Sequence, residues 1–165
     1  MRASKIVVTE ILESRIAQAW KFGADGAINP LSHSANGGGP GVEEAVRQVA
    51  EGGGGFNIAF DTTGLQSTLD LCILSAKPCG VIFNVAIHKK ALSLNLNDLG
   101  MKKKKLMGGI CYSPEDFEYV IGLLAEKRLD AEQIVTSVVP LSRAVEGAFE
   151  LVHNSGAHVK ILIKP

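Results

Sequence analysis

A chain of 165 residues is long enough for one domain with a substantial core, since folding at this size removes roughly 70% of the unfolded surface from water. Lysines plus arginines equal aspartates plus glutamates at 17 each, so there is no basic excess of the kind that drives binding to a nucleic-acid backbone. No apolar run approaches the ~20 residues that cross a bilayer, and the N-terminus lacks the apolar core of a secretion signal. These features exclude nucleic acid and membrane as expected partners and point to a soluble, cytoplasmic protein.

The first element is a strand, Ile6 to Glu10, which is apolar and ends on an acidic side chain. A carboxylate in that place can accept both hydroxyls of an adenosine ribose, as at the end of the second strand of a dinucleotide-binding unit. Only Met1 to Ser4 precede Lys5, so the first strand and its glycine-rich phosphate turn are expected to be missing. A helix follows over Leu12 to Phe22, then a short strand at Gly26 to Ile28. Val42, Ala45, Val46 and Val49 recur at helical spacing within a helix over Val42 to Ala50, with Glu43, Glu44, Arg47 and Gln48 turned outward. Strands at Asn57 to Asp61 and Val81 to Ala86 enclose a helix from Leu65 to Ala76, and another strand runs from Leu106 to Cys111. Ser113-Pro114-Glu115-Asp116 opens a helix, because proline suits a first turn whose amides have no intrahelical partner. A strand over Ile134 to Val139, a helix over Ser142 to Val152 and a strand over Val159 to Ile163 complete the chain. Apolar strands alternating with helices predict a doubly wound, mostly parallel α/β sheet covered on both faces.

Other conspicuous segments read as bland. Gly37 to Gly41 and Gly52 to Gly55 do not spell Gly-x-Gly-x-x-Gly, and they are expected to be surface connections. Lys102 to Lys105 leads into an apolar strand and reads as its solvated entrance. Cys72, Cys79 and Cys111 lack paired spacing and are expected to be reduced and mostly buried, while His33, His88, His153 and His158 are too scattered to form a metal site.

Taken in order, Val7-Val8-Thr9-Glu10 with Arg15, Phe22-Gly23-Ala24-Asp25, Phe60-Asp61-Thr62-Thr63-Gly64 and Lys77-Pro78-Cys79-Gly80 resemble the C-terminal part of zinc-type medium-chain alcohol and polyol dehydrogenases. Gly108-Gly109-Ile110-Cys111-Tyr112, Glu115-Asp116-Phe117, Val139-Pro140-Leu141 and His158-Val159-Lys160-Ile161 extend the resemblance over nearly the whole chain, closest to the butanediol and sorbitol dehydrogenase group. The resemblance implies a Rossmann-like fold without its usual first strand, with residues 1–112 forming a partial dinucleotide-binding domain. Residues 113–165 would be a C-terminal segment that packs on a catalytic domain in full-length relatives.

It also implies NAD as cofactor and assigns roles. Glu10 would hold the adenosine ribose, Arg15 would lie beside the adenine, and Thr62 and Thr63 would wall the adenosine side. Asn84, Val85 and Ala86 would line the nicotinamide pocket, Ile110, Cys111 and Tyr112 would close over the nicotinamide ribose, and Lys160 would reach the pyrophosphate. The alternatives are a solvated acid, plain surface Arg and Lys, and ordinary core packing. No residue matches a catalytic or zinc-ligating position of that family, whose zinc lies in an N-terminal domain. A methyltransferase also places an acid after its second strand, but the Val139-Pro140-Leu141 to Lys160-Ile161 pattern fits it poorly. A zinc-free quinone reductase remains open, against the preference for NADPH that Glu10 opposes.

Two structural expectations follow from the resemblance. The missing strand belongs in the middle of the order 3-2-1-4-5-6. The second strand therefore closes on the fourth, or another segment or chain fills the place, or the fold is weakened. Ala91 to Leu96 alternates Leu92, Leu94 and Leu96 with polar residues, like an edge strand able to pair two copies of the chain, so a homo-oligomer is expected.

Overall fold

The computed structural model describes residues 3–33, 41–50, 54–149 and 158–165. Their contacts divide into two units: residues 1–9 with 24–111, and residues 10–23 with 112–165.

In the first unit, strand β1 (Val7–Thr9) pairs in parallel with β2 (Gly26–Ile28), matching Val8 to Ala27. Helix α2 (Val42–Val49) follows; α1 (Glu13–Lys21) belongs to the other unit. Its expected stripe is inside, with Ala45 and Val46 buried beside Ile28 and with Val7, Val42, Val49, Phe56 and Leu71 packed around them. Strands β3 (Phe56–Asp61), β4 (Ala76–Asn84) and β5 (Lys105–Gly108) form a parallel sheet in that order. Among the described residues no ladder joins β1 to β3, so the second strand does not close on the fourth. The α2 stripe explains how the two ladders still cohere: it buries side chains of both, giving them a shared core without shared backbone bonds.

Helix α3 (Gln66–Ser75) lies on one face of the three-stranded sheet, where Leu69 and Ile73 bury the fully enclosed Ile82. Ala59 pairs with Ile82 and Ile82 with Leu106, so these side chains share that face. Phe60 pairs with Phe83 and Phe83 with Met107 on the other face, and there Ile58, Phe60 and Met107 are exposed. Strand β4 begins earlier than expected, at Ala76, because its start rejoins Phe56 across an irregularity. Gly55 enables this approach: its φ is +97°, and a Cβ there would meet the Ser75 carbonyl at 2.6 Å. It is thus a packing position rather than a free surface connection. The rest of that glycine cluster, residues 52–53, and residues 37–40 of the other lie outside the described residues.

Two further expectations are corrected in this unit. The Lys102–Lys105 run is not wholly solvated, since Lys104 is buried and its Nζ donates to the Ile73 carbonyl in the last turn of α3. Burial, with neighbouring Lys102 and Arg47, depresses its pKa against the opposing pull of Asp98. Of the cysteines, only Cys72 is half-buried; Cys79 and Cys111 are exposed, each at a backbone φ near +60°, where the chain turns outward. Among the described residues the Ala91–Leu96 stretch joins no ladder within this chain. It runs extended to α4 (Leu96–Gly100), an unexpected short helix, and Leu92 and Leu94 pack on the core of their own chain.

The second unit holds helix α1 (Glu13–Lys21), helix α5 (Pro114–Ala125) and a parallel pair, β6 (Val135–Pro140) with β7 (Lys160–Lys164). Ser113 caps α5 as the sequence requires, accepting from the Asp116 amide at 3.2 Å while Asp116 Oδ2 accepts from the Ser113 amide at 2.9 Å. The expected helix over Ser142 to Val152 is a 3-10 turn, Leu141–Arg143, then a single π-turn, Val145–Phe149; residues 150–157, including His153, lie outside the described residues. Gly147 makes room for this, since a Cβ there would meet Val139 Cγ1 at 3.1 Å. No helix among the described residues is long and apolar enough to cross a membrane.

Candidate functional site at the carboxyl ends of the strands

Glu10 follows β1 directly. Its Oε1 accepts from the amides of Ile11 at 2.7 Å and Leu12 at 3.0 Å, which satisfies donors at the entrance of α1 and fixes the side chain. Oε2 stands 3.8 Å from Arg15 Nη1. The acid and the base singled out in the sequence are therefore brought together as a pair one helical turn apart. The bound Oε1 leaves Oε2 as the oxygen able to take a ligand hydroxyl.

The end of β3 is built differently. Asp61 is 1% exposed, and its Oδ1 accepts from the amides of Thr63 at 3.1 Å and Gly64 at 3.2 Å and from the Thr68 hydroxyl at 3.0 Å. The Thr63 and Thr68 hydroxyls lie 2.6 Å apart, so the Thr63 proton can run to Thr68 and the Thr68 proton to Asp61. Burial raises the carboxyl pKa, but these donors outweigh it and hold the group below its ordinary range. The same negative charge, after burial, helps push the Cys72 thiol up to about 11. Asp61 Oδ2 is buried without a partner among the described residues. One consequence is that the Thr63 and Gly64 amides, groups of the kind that bind phosphate, already hold an internal carboxylate. Thr62 is exposed beside them, whereas Thr63 has its hydroxyl turned into this network.

The end of β4 is tied to that turn. The Val85 amide donates to the Asp61 carbonyl at 3.0 Å, and the Gly109 amide beyond β5 donates to the Asn84 carbonyl at 3.0 Å. Asn84 Nδ2 donates to the Ala86 carbonyl at 3.3 Å. His88 spans the two ends, with Nδ1 at 3.2 Å from the Gly64 carbonyl and Nε2 at 3.0 Å from Asn84 Oδ1. Asn84 and His88 also line a cavity of about 430 Å³ with Leu69, Lys90, Leu92 and Leu106. Val85 and Ile110 are exposed, and Cys111 holds φ at +62° just past β5. Thr62, Thr63, Asn84, Val85, Ala86, Ile110 and Cys111 thus all fall in the first unit at or beyond strand ends. Glu10, Arg15, Tyr112 and Lys160 fall in the second, where the Tyr112 ring stacks on Phe117 at 5.7 Å and Lys160 is exposed at the start of β7.

Sequence reasoning passed over Asp61, Gly64, Thr68 and His88 as individual actors. Asp61 and Gly64 were visible as a strand-end acid followed by a turn glycine. His88 offered no local signal, since its partner carbonyl lies 24 positions away. As an acceptor at a strand end, Glu10 fits the hydroxyls at the adenosine end of a dinucleotide, whereas the Thr63 and Gly64 amides already serve Asp61 and do not fit a pyrophosphate. Among the described residues no group of three or more His, Cys, Asp or Glu is arranged to hold a metal ion.

The family profile described as zinc-binding dehydrogenase matches residues 1–126. The chain belongs to the zinc-binding dehydrogenase family. It is 32% identical to a probable diacetyl reductase [(R)-acetoin forming] of Saccharomyces cerevisiae, over 97% of this chain and 38% of that protein. To the (R,R)-butanediol dehydrogenase of the same yeast it is 31% identical, over 100% of this chain and 43% of that protein. The crystal structure of 2R,3R-butanediol dehydrogenase from Bacillus subtilis superposes with a TM-score of 0.87 at 28% identity, covering 99% of this chain and 44% of that one. The chain therefore spans about two fifths of the length of these dehydrogenases and matches their C-terminal part. Its Rossmann-like α/β fold, with parallel ladders and α3 laid on the sheet, is the one expected for this family.

Proposed function

We propose that this chain is the cofactor-binding portion of an NAD-dependent secondary alcohol or diol dehydrogenase and does not oxidise alcohols by itself. The carrying observation is Glu10: a strand-end carboxylate with one oxygen pinned by two amides and the other available to ribose hydroxyls. Asn84 at the end of β4, with Val85 and Ala86 just past it, would supply the nicotinamide side, and Lys160 the pyrophosphate side. When bound, NAD would accept hydride; the groups named here would orient it. The three free cysteines accord with a cytoplasmic location.

Titration of the full chain with NAD, followed by chemical-shift changes, tests this reading. A dissociation constant on the order of 1 mM is expected, because the Thr63 and Gly64 amides are occupied by Asp61. Glu10→Gln should weaken NAD several-fold and leave the fold intact. Absence of any NAD-dependent shift, or turnover of 2,3-butanediol by the isolated chain, would overturn it.

A second reading, self-association through residues 91–96, gains support from Gln66. Its Oε1 accepts from the Ser93 amide at 2.8 Å and its Nε2 donates to the Ser93 carbonyl at 2.9 Å, with Asp70 Oδ1 at 2.8 Å fixing the amide's orientation. Alternate residues of an extended segment point their backbone groups to opposite edges. Holding Ser93 on one side therefore leaves the Leu92 and Leu94 edge open to a second copy. Leu96, 71% exposed, is the position to challenge. Leu96→Lys should convert a dimer to a monomer by light scattering, and equal masses would remove this edge as the interface.

A further inference from the structure

His88 is held between two groups that can only accept. The Gly64 carbonyl has no proton to give. The Asn84 side chain is oriented by its Nδ2, which donates to the Ala86 carbonyl at 3.3 Å, so the atom facing His88 Nε2 at 3.0 Å is the amide oxygen. The two ring nitrogens face one acceptor each, so the ring lies between the two strand ends and its N–H is directed at one of them. Contact is close on the Gly64 side: with φ at +76°, a Cβ on Gly64 would stand 3.1 Å from the Ile87 carbonyl and 3.3 Å from His88 Nδ1.

We propose that His88 is the positioning residue of the Asn84–Ala86 segment, bridging the Gly64 carbonyl and the Asn84 amide oxygen so that the turn after β3 is tied to the end of β4 and the Asn84 carboxamide is aimed at the Ala86 carbonyl. The consequence is specific to one half of the ligand and rests on the reading above, in which this segment faces nicotinamide. With His88 in place, the Asn84 amide and the Ala86 carbonyl occupy one arrangement before the cofactor arrives, so less ordering remains to be done on binding. Without it, Asn84 is free to rotate, and the backbone groups of Val85 and Ala86 lose their brace to Gly64. On the adenosine side Glu10 is fixed by the Ile11 and Leu12 amides, and the Thr62–Gly64 turn keeps its amide bonds to Asp61 without His88.

The test titrates the full chain and its His88→Phe and His88→Gln variants with NAD and with ADP-ribose, which lacks nicotinamide, and records the Asn84 side-chain amide by NMR without ligand. In His88→Phe, NAD affinity should fall roughly fivefold, the scale of one lost hydrogen bond, while ADP-ribose affinity stays unchanged. His88→Gln, with a single NH₂ donor group, should fall between. The Asn84 NH₂ protons should exchange with water faster in both variants even in the absence of ligand. Equal losses for NAD and ADP-ribose would reduce His88 to a general stabiliser and overturn the proposal. Unchanged exchange at Asn84 would overturn the clamp itself, whatever the ligands do. If the wild-type chain binds neither ligand, the cofactor reading fails and takes the positioning role with it, while the Asn84 measurement still separates that failure from failure of the clamp.

Discussion

The two strand ends chosen for the same kind of ligand are built on opposite principles. At the end of β1, Glu10 is held by bonds to the next two residues and by Arg15 one turn on, all within a few positions of sequence and partly in solvent. At the end of β3, Asp61 is buried, takes its donors from a turn and from α3, and is joined to the end of β4 through Val85, Asn84 and His88. The first is a local device whose failure stays local. The second is a cooperative network, where losing one group leaves buried partners unmet. Substitution at Glu10 should disturb little beyond its own turn, whereas the β3–β4 corner carries part of the fold's stability.

The largest expected break in that contrast is Asp61→Ala, which strips the acceptor from two amides and the Thr68 hydroxyl and should cost about 3 kcal/mol in urea unfolding. Because the folded carboxyl lies below its unfolded value, its contribution is complete above the ordinary aspartate range and disappears as pH falls through the lower folded value. Asp61→Asn should therefore flatten the acid limb of the stability profile, and an unchanged limb would show that other carboxylates govern it. Gly64→Ala comes next, at about 2 kcal/mol, because the left-handed backbone and the Ile87 carbonyl 3.1 Å from the new methyl both oppose it. Equal stability by the same unfolding measurement would mean that the β3 and β4 turns are not tightly apposed. The smallest effect belongs to Glu10→Ala, about 1 kcal/mol as for the loss of a helix-entrance cap. A Glu10 loss as large as that of Asp61 would erase the distinction between the two ends.

Legibility followed the range of the interactions. The α2 stripe, the Ser113 cap of α5 and the acid after β1 are defined within one or two turns of sequence, and each is where the residues place it. Readings failed where distant chain decides burial. Lys104 sits in a run that looks solvated, yet the end of α3 receives it. Over Ser142 to Val152 the described part is a 3-10 turn and a π-turn rather than a regular helix, where Gly147 packs against Val139.

From the order of residues alone came the alternation of strands and helices, the helix entrances and the identity of the strand-end acid, because propensity, capping and apolar period act between neighbours. Tertiary structure alone decided that β1 and β3 share a core through α2 without sharing a ladder, and that His88 meets Gly64 and Asn84. Those outcomes depend on which surfaces meet once the elements exist. A hydrogen bond between positions 64 and 88 has no counterpart in any short window of the chain.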